Sequence, residues 1–178
     1  MSKLRVKFSG YGGQGIILSS YIVGKAVSIF DGKSATMTQA YGPEARGGAC
    51  SSQVVIDEDK VDYPLVDNAE ILIALSQEGY DKFFNILNEE GTLFYDNDLV
   101  TELQNHNHIA EKAIPATRIA EDMGKKIVAN IVMLGYVTAQ TDFVSPEAME
   151  ASIRGSVPQR YVDLNVKAFL TGYKYKKE

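Results

Sequence analysis

The sequence has 178 residues, 45% of them apolar and 23% charged, which fits one domain around one buried core and excludes a disordered or fibrous chain. Its net charge of −5 argues against a nucleic-acid partner, which needs Lys and Arg concentrated on one face. The single cysteine, Cys50, excludes an internal disulfide and cannot supply the ligand set of an iron–sulfur cluster.

Leu4 to Ser9 alternates apolar and polar residues and stops at Gly10, which predicts a short strand entering a tight turn. Ile17, Tyr21, Val23, Val27 and Phe30 follow at near-helical spacing, so a helix is expected over 16–30, closed by Asp31-Gly32. A second strand at about Ser34 to Thr38 would complete a β-α-β unit. Tyr41 to Gly48 holds three glycines and a proline and reads as a structured loop. Strand alternation resumes from Cys50 to Ile56. Ile71-Leu72-Ile73-Ala74-Leu75 is nearly continuous apolar sequence of strand length, the pattern of a central parallel strand covered on both faces.

Ser76 is placed to cap the next helix, whose apolar spacing through Tyr80, Phe83, Phe84 and Leu87 predicts helix as far as Glu90-Gly91. Short strands are expected over 92–95 and 109–114. Beyond Pro115 the chain turns helical: 116–123 ending at Gly124, a nearly uncharged helix over 127–140 that asks for burial on several sides, a helix over 148–153 behind Ser145-Pro146, and a last one over 159–170. Strands alternating with helices and then helices alone predict a single α/β domain spanning 1–178, with a Rossmann-like, mostly parallel sheet flanked by helices and a helical C-terminal part.

No apolar run reaches the roughly 20 residues of a bilayer span, and Met1-Ser2-Lys3-Leu4 leads straight into a strand pattern, so a cytoplasmic protein with no membrane partner is expected. Lys174, Lys176 and Lys177 form a basic cluster that reads as a solvated end. His106 and His108 stand among asparagines and read as part of a turn. No catalytic or metal-ligating residue is assigned.

Gly10-Tyr11-Gly12-Gly13-Gln14-Gly15 has G-x-G-x-x-G spacing between a predicted strand and a predicted helix. Glycines allow the sharp turn and let backbone N–H groups face an anion at a helix N-terminus, which makes Gly12, Gly13, Gln14 and Gly15 candidates for a phosphate-binding loop or for an interface loop. The acidic residue that binds a ribose at the end of the second strand is missing. Thr38-Gln39-Ala40 stands there, and Asp31 precedes that strand. A tight turn packing helix against sheet is the plainer reading of the loop.

Three motifs together, the glycine loop, Tyr41-Gly42-Pro43-Glu44-Ala45-Arg46-Gly47-Gly48 and Asn130-Ile131-Val132-Met133-Leu134-Gly135, resemble the gamma subunit of 2-oxoacid:ferredoxin (acceptor) oxidoreductases over nearly the whole chain. The Tyr-Gly-Pro-Glu-x-Arg-Gly-Gly form is most similar to the 2-oxoglutarate and branched-chain 2-oxoacid members. The resemblance implies a non-catalytic subunit of an enzyme that decarboxylates 2-oxoglutarate oxidatively to succinyl-CoA and hands electrons to ferredoxin, flavodoxin or a quinone-linked acceptor. It further implies alpha, beta and delta partner subunits, with thiamine diphosphate, Mg and the iron–sulfur clusters held by those partners, and a hetero-oligomeric working form.

Tyr41, Gly42, Pro43, Glu44, Arg46, Gly47 and Gly48 are candidates for a surface that faces a partner subunit or coenzyme A, with Glu44 and Arg46 offering opposite charges; an internal Glu–Arg pair is the alternative. Asn130 reads as a cap of the helix behind it, and Cys50 as a buried structural thiol. A 2-oxoisovalerate or pyruvate enzyme is the alternative within the family, and a free-standing dinucleotide- or coenzyme-A-binding module the alternative outside it.

Overall fold

A computed structural model describes residues 3–40, 49–58, 67–106 and 108–176. Among the described residues six strands form one sheet in the order β2-β3-β1-β4-β5-β6: β1 (Leu4–Tyr11), β2 (Ser34–Ala40), β3 (Ala49–Asp57), β4 (Ala69–Ala74), β5 (Leu87–Asp96) and β6 (Ala110–Ile114). β1, β4, β5 and β6 pair in parallel, whereas β3 runs antiparallel to both β1 and β2. Five strands therefore share one direction, and the sheet is mostly parallel as expected. The β-α-β unit needs correction: β2 does run parallel to β1, but β3 lies between them.

The α-helices of the described residues are α1 (Ile16–Lys25), α2 (Gln77–Phe83), α3 (Ala116–Asp122), α4 (Ala129–Gln140), α5 (Pro146–Arg154) and α6 (Val162–Tyr173). The helix expected over 16–30 is α1 plus a π-helical turn, Ala26–Phe30. Ser76 and Ser145 cap as expected, accepting the backbone N–H groups of Gly79 at 3.0 Å and Ala148 at 3.1 Å. The helix expected to run to Glu90 stops earlier. After α2 a 3-10 turn ends at Ile86, and Leu87 to Glu90 already belong to β5, with Leu87 in register with Ala69.

Alternating residues divide the core between the two faces of the sheet. Val6, Phe8, Ile71, Ile73, Phe94 and Ile114 join α1, α4, α5 and α6 in the larger cluster, and Leu72, Ala74 and Leu93 pack under Tyr80 and Phe84 on the α2 side. Every residue of α4 from Asn130 to Thr138 is buried, since the helix lies between the sheet and α6. This is the all-round burial that its lack of charge predicts.

Lys7 of β1 is buried, its ammonium donating to Gln53 Oε1 at 3.2 Å and standing 4.6 Å from the Phe83 ring centroid. Burial lowers its pKa from 10.5 to about 8. The folded chain thus releases this proton before the unfolded chain does, so stability rises from about pH 8 toward pH 10.5 and the full penalty applies below that window. Lys7→Met should raise stability at pH 7 by about 1 kcal/mol, once screening and the lost contacts are allowed for, and should flatten the alkaline rise. Denaturant melts of both proteins at pH 7 and pH 10 test this. An identical rise in the two would clear Lys7 of the effect.

Candidate functional site

The carboxyl ends of β1, β4 and β5 open on one rim of the sheet, the place where parallel α/β folds bind ligands. The chain leaves β1 for α1 on one face and leaves β4 for α2 on the other, so the point where connections diverge lies between β1 and β4. The glycine loop, residues 10–15, occupies that point.

Gln14 fills the crevice. Its Oε1 accepts the Tyr11 N–H at 2.6 Å and its Nε2 donates to the Leu75 carbonyl at 2.8 Å, tying the β1–α1 turn to the end of β4. Gly12 and Gly13 remain exposed. Gly15 is the N-cap of α1 in a left-handed conformation, φ 72°, where it offers the helix no side-chain acceptor. Its carbonyl accepts the Ser19 N–H at 2.8 Å, the Ser19 hydroxyl at 2.9 Å and the Asn130 amide at 3.2 Å. No described acceptor takes the N–H groups of Gly12, Gly13 or Ile16.

Two clefts flank the loop. One of about 390 Å³ lies between the starts of α1, α4 and α6, where Leu18, Asn130, Tyr161 and Asn165 line it; the other, about 310 Å³, is lined by Gln14, Leu75 and Thr117. Ile127, 74% exposed, stands on the rim of both, next to Lys125 and Lys126. The architecture opposes the usual dinucleotide mode, since β3 separates the end of β2 from the glycine loop by two strand spacings, roughly 10 Å. Asp31 serves another purpose. Its carboxylate accepts the N–H and hydroxyl of Ser145, at 2.8 and 2.6 Å, and anchors the start of α5.

The family model for pyruvate ferredoxin/flavodoxin oxidoreductases matches residues 5–175. The 2-oxoglutarate synthase subunit KorC of Methanocaldococcus jannaschii is 47% identical over the full length of both chains. The chain belongs to this family. It is a gamma-type subunit: the gamma subunit of a keto/oxoacid ferredoxin oxidoreductase from Geobacter sulfurreducens superposes with a TM-score of 0.86 at 44% identity, covering 96% of each chain. The same fold recurs within a longer chain, the 2-oxoglutarate:ferredoxin oxidoreductase of Magnetococcus marinus, solved with 2-oxoglutarate, coenzyme A and succinyl-CoA bound. There the TM-score is 0.87 at 21% identity, over 97% of this chain and 31% of that one.

The second loop of this gamma-type subunit, Tyr41, Gly42, Pro43, Glu44, Arg46, Gly47 and Gly48, lies outside the described residues. The described residue that follows it, Ala49, lies at the same end of the sheet as the glycine loop. Ala49 pairs in register with Tyr11 at the start of the glycine loop, and Glu78 in the first turn of α2 accepts the Ala49 N–H at 3.2 Å. Cys50, in register with Gly10, is half-buried and packs against the larger core cluster, and burial pushes its thiol pKa up, which suits a structural thiol. The His106 ring packs on Phe84, centroids 4.1 Å apart, on the far side of the sheet.

Asn130 is the residue that sequence reasoning placed wrongly. Val128, not Asn130, is the N-cap of α4, and the Asn130 side chain turns inward, 3% exposed, to reach Gly15 and Ser19. The only sequence signal was a lone polar residue at the head of an otherwise apolar helix.

Proposed function

We propose that the chain completes a 2-oxoglutarate:acceptor oxidoreductase as its gamma subunit, in a complex that converts 2-oxoglutarate and coenzyme A to succinyl-CoA and CO₂ while reducing ferredoxin or a similar acceptor. The observation that carries the reading is 47% identity to a 2-oxoglutarate synthase subunit from end to end of both chains. The chain's part in that complex is structural in this reading. One cysteine cannot hold a cluster, and in this reading the thiamine diphosphate with its Mg and the iron–sulfur centres sit on the alpha, beta and delta partners, as the family resemblance implies.

Its own contribution is a rigid scaffold that presents two glycine loops at the coenzyme A entrance. N–H groups at Gly12 and Gly13 that no described acceptor takes, at the positive end of α1, suit the coenzyme's phosphates, and Glu44 and Arg46 of the second loop would serve as its charged contacts to coenzyme A or to a partner subunit. The site is cytoplasmic in this reading, where the reduced acceptor is used. Among the described residues no helix is long and apolar enough to cross a membrane.

Recovery of the tagged chain from its own cells tests the proposal. A thiamine-binding, iron–sulfur-containing complex that makes succinyl-CoA from 2-oxoglutarate is expected, with preference over 2-oxoisovalerate and pyruvate. Recovery of the chain without a thiamine-binding partner, or a complex that prefers another 2-oxoacid, would refute it.

A further inference from the structure

We infer that Asn130 is a positioning residue, holding the glycine loop in the shape that receives coenzyme A; the inference rests on the reading of that loop proposed above. Asn130 belongs to the first turn of α4, a helix that makes no sequence-local contact with the loop 115 residues earlier. Its Nδ2 donates to the Gly15 carbonyl and to Ser19 Oγ, both at 3.2 Å, while Ser19 Oγ donates back to the same Gly15 carbonyl at 2.9 Å. The three groups close a ring of hydrogen bonds around the one loop residue that both ends the turn and begins α1.

The ring has a steric counterpart. A Cβ on Gly15 would overlap the Asn130 amide, so the loop's last glycine is required by Asn130 as well as by its positive φ of 72°. On the opposite side Gln14 clamps the loop to Tyr11 and Leu75. Held from both sides, the loop leaves Gly12 and Gly13 exposed, with no described acceptor for their N–H groups. Such preorganisation strengthens ligand binding because the ordering cost is met in folding and not at binding. Asn130 also lines the 390 Å³ cleft beside the loop, so its amide sets the wall of the space that the ligand approaches.

Asn130→Ala and Asn130→Asp in the holoenzyme test the assignment. Aspartate keeps the size and suits the start of a helix, so the fold survives, but it has no N–H for the Gly15 carbonyl. Both variants should raise KM for coenzyme A about tenfold with kcat and KM for 2-oxoglutarate unchanged, as expected when a charge-binding loop loses its hydrogen-bonded support. Gly13→Val, which strains the loop directly at a residue with φ 96°, should raise the same KM. If Gly13→Val raises it and the Asn130 variants do not, the positioning role is wrong and the reading of the loop stands. If none of the three changes it while the complex stays assembled in native mass spectrometry, the reading of the loop fails and the inference fails with it.

Discussion

Gly172→Ala is expected to destabilise the chain by about 3 kcal/mol and to lower its melting temperature by roughly 10 °C, although alanine is the better helix former. The reason is the contact between α4 and α6. Gly135 and Gly172 each lie against the backbone of the other helix: a Cβ on Gly172 would overlap the Val132 carbonyl oxygen and lie 2.8 Å from its carbon, and one on Gly135 would overlap the Phe169 carbonyl and lie 2.7 Å from the Tyr173 nitrogen. The obstacles are backbone atoms, which no rotamer change can move. The helices would have to separate, and with them the buried Val132, Met133, Val166 and Phe169 of the main cluster. Gly135→Ala should cost a similar amount for the same reason.

Gly24→Ala is the internal control, because Gly24 lies inside α1 with open space where its Cβ would be. That change should stabilise by up to about 1 kcal/mol. Thermal melts of the three variants give the comparison. Destabilisation of all three alike would point to a general effect of glycine replacement and would rule out the close approach as the cause.

The motif that ends in Gly135 was visible in the sequence, but its partner was not. Local patterns carried what local physics decides. The apolar run 71–75 gave β4 as a central parallel strand, the uncharged stretch behind Lys126 gave α4 as a helix buried all round, and Ser76 and Ser145 gave their caps. Leu87 shows the limit. It continues the spacing of Tyr80, Phe83 and Phe84, so periodicity extends the helix, yet pairing with β4 draws it into β5.

Strand order fails for a similar reason. The alternation of Cys50 to Ile56 is the same in a parallel or an antiparallel strand, so nothing local says that β3 inserts between β1 and β2. In the glycine loop the turn itself was legible from its spacing. The clamp on it was not, since an asparagine at a helix start ordinarily caps, and only the folded chain brings α4 against Gly15.

Asp96→Ala should cost about 3 kcal/mol at neutral pH, because it removes the acceptor of the buried Thr117 N–H and hydroxyl and that of the Asp98 N–H together. Asp96 ends β5 and is fully buried. Its Oδ2 accepts the Thr117 N–H at 2.8 Å and the Thr117 hydroxyl at 2.6 Å, and its Oδ1 accepts the Asp98 N–H at 3.0 Å. The carboxylate thereby does the capping that Pro115 cannot, since proline stands at the N-cap of α3 with no acceptor on its side chain. Losing it frees the start of α3 and the turn over 96–100 together, and Thr117 lines the smaller cleft beside the glycine loop.

The pH dependence separates this account from a simple favourable anion. Burial pushes the Asp96 carboxyl above its ordinary value, and the hydrogen bonds from Thr117 and Asp98 only partly oppose that. The folded state then binds the proton at higher pH than the unfolded state, so the contribution of Asp96 to stability is largest below the unfolded pKa and shrinks as pH rises through the folded one. The cost of Asp96→Ala should therefore be greater in acid than at pH 7, as read from denaturant melts of both proteins across that range. A cost that falls in acid would mean that the hydrogen bonds to the ionised carboxylate outweigh its burial.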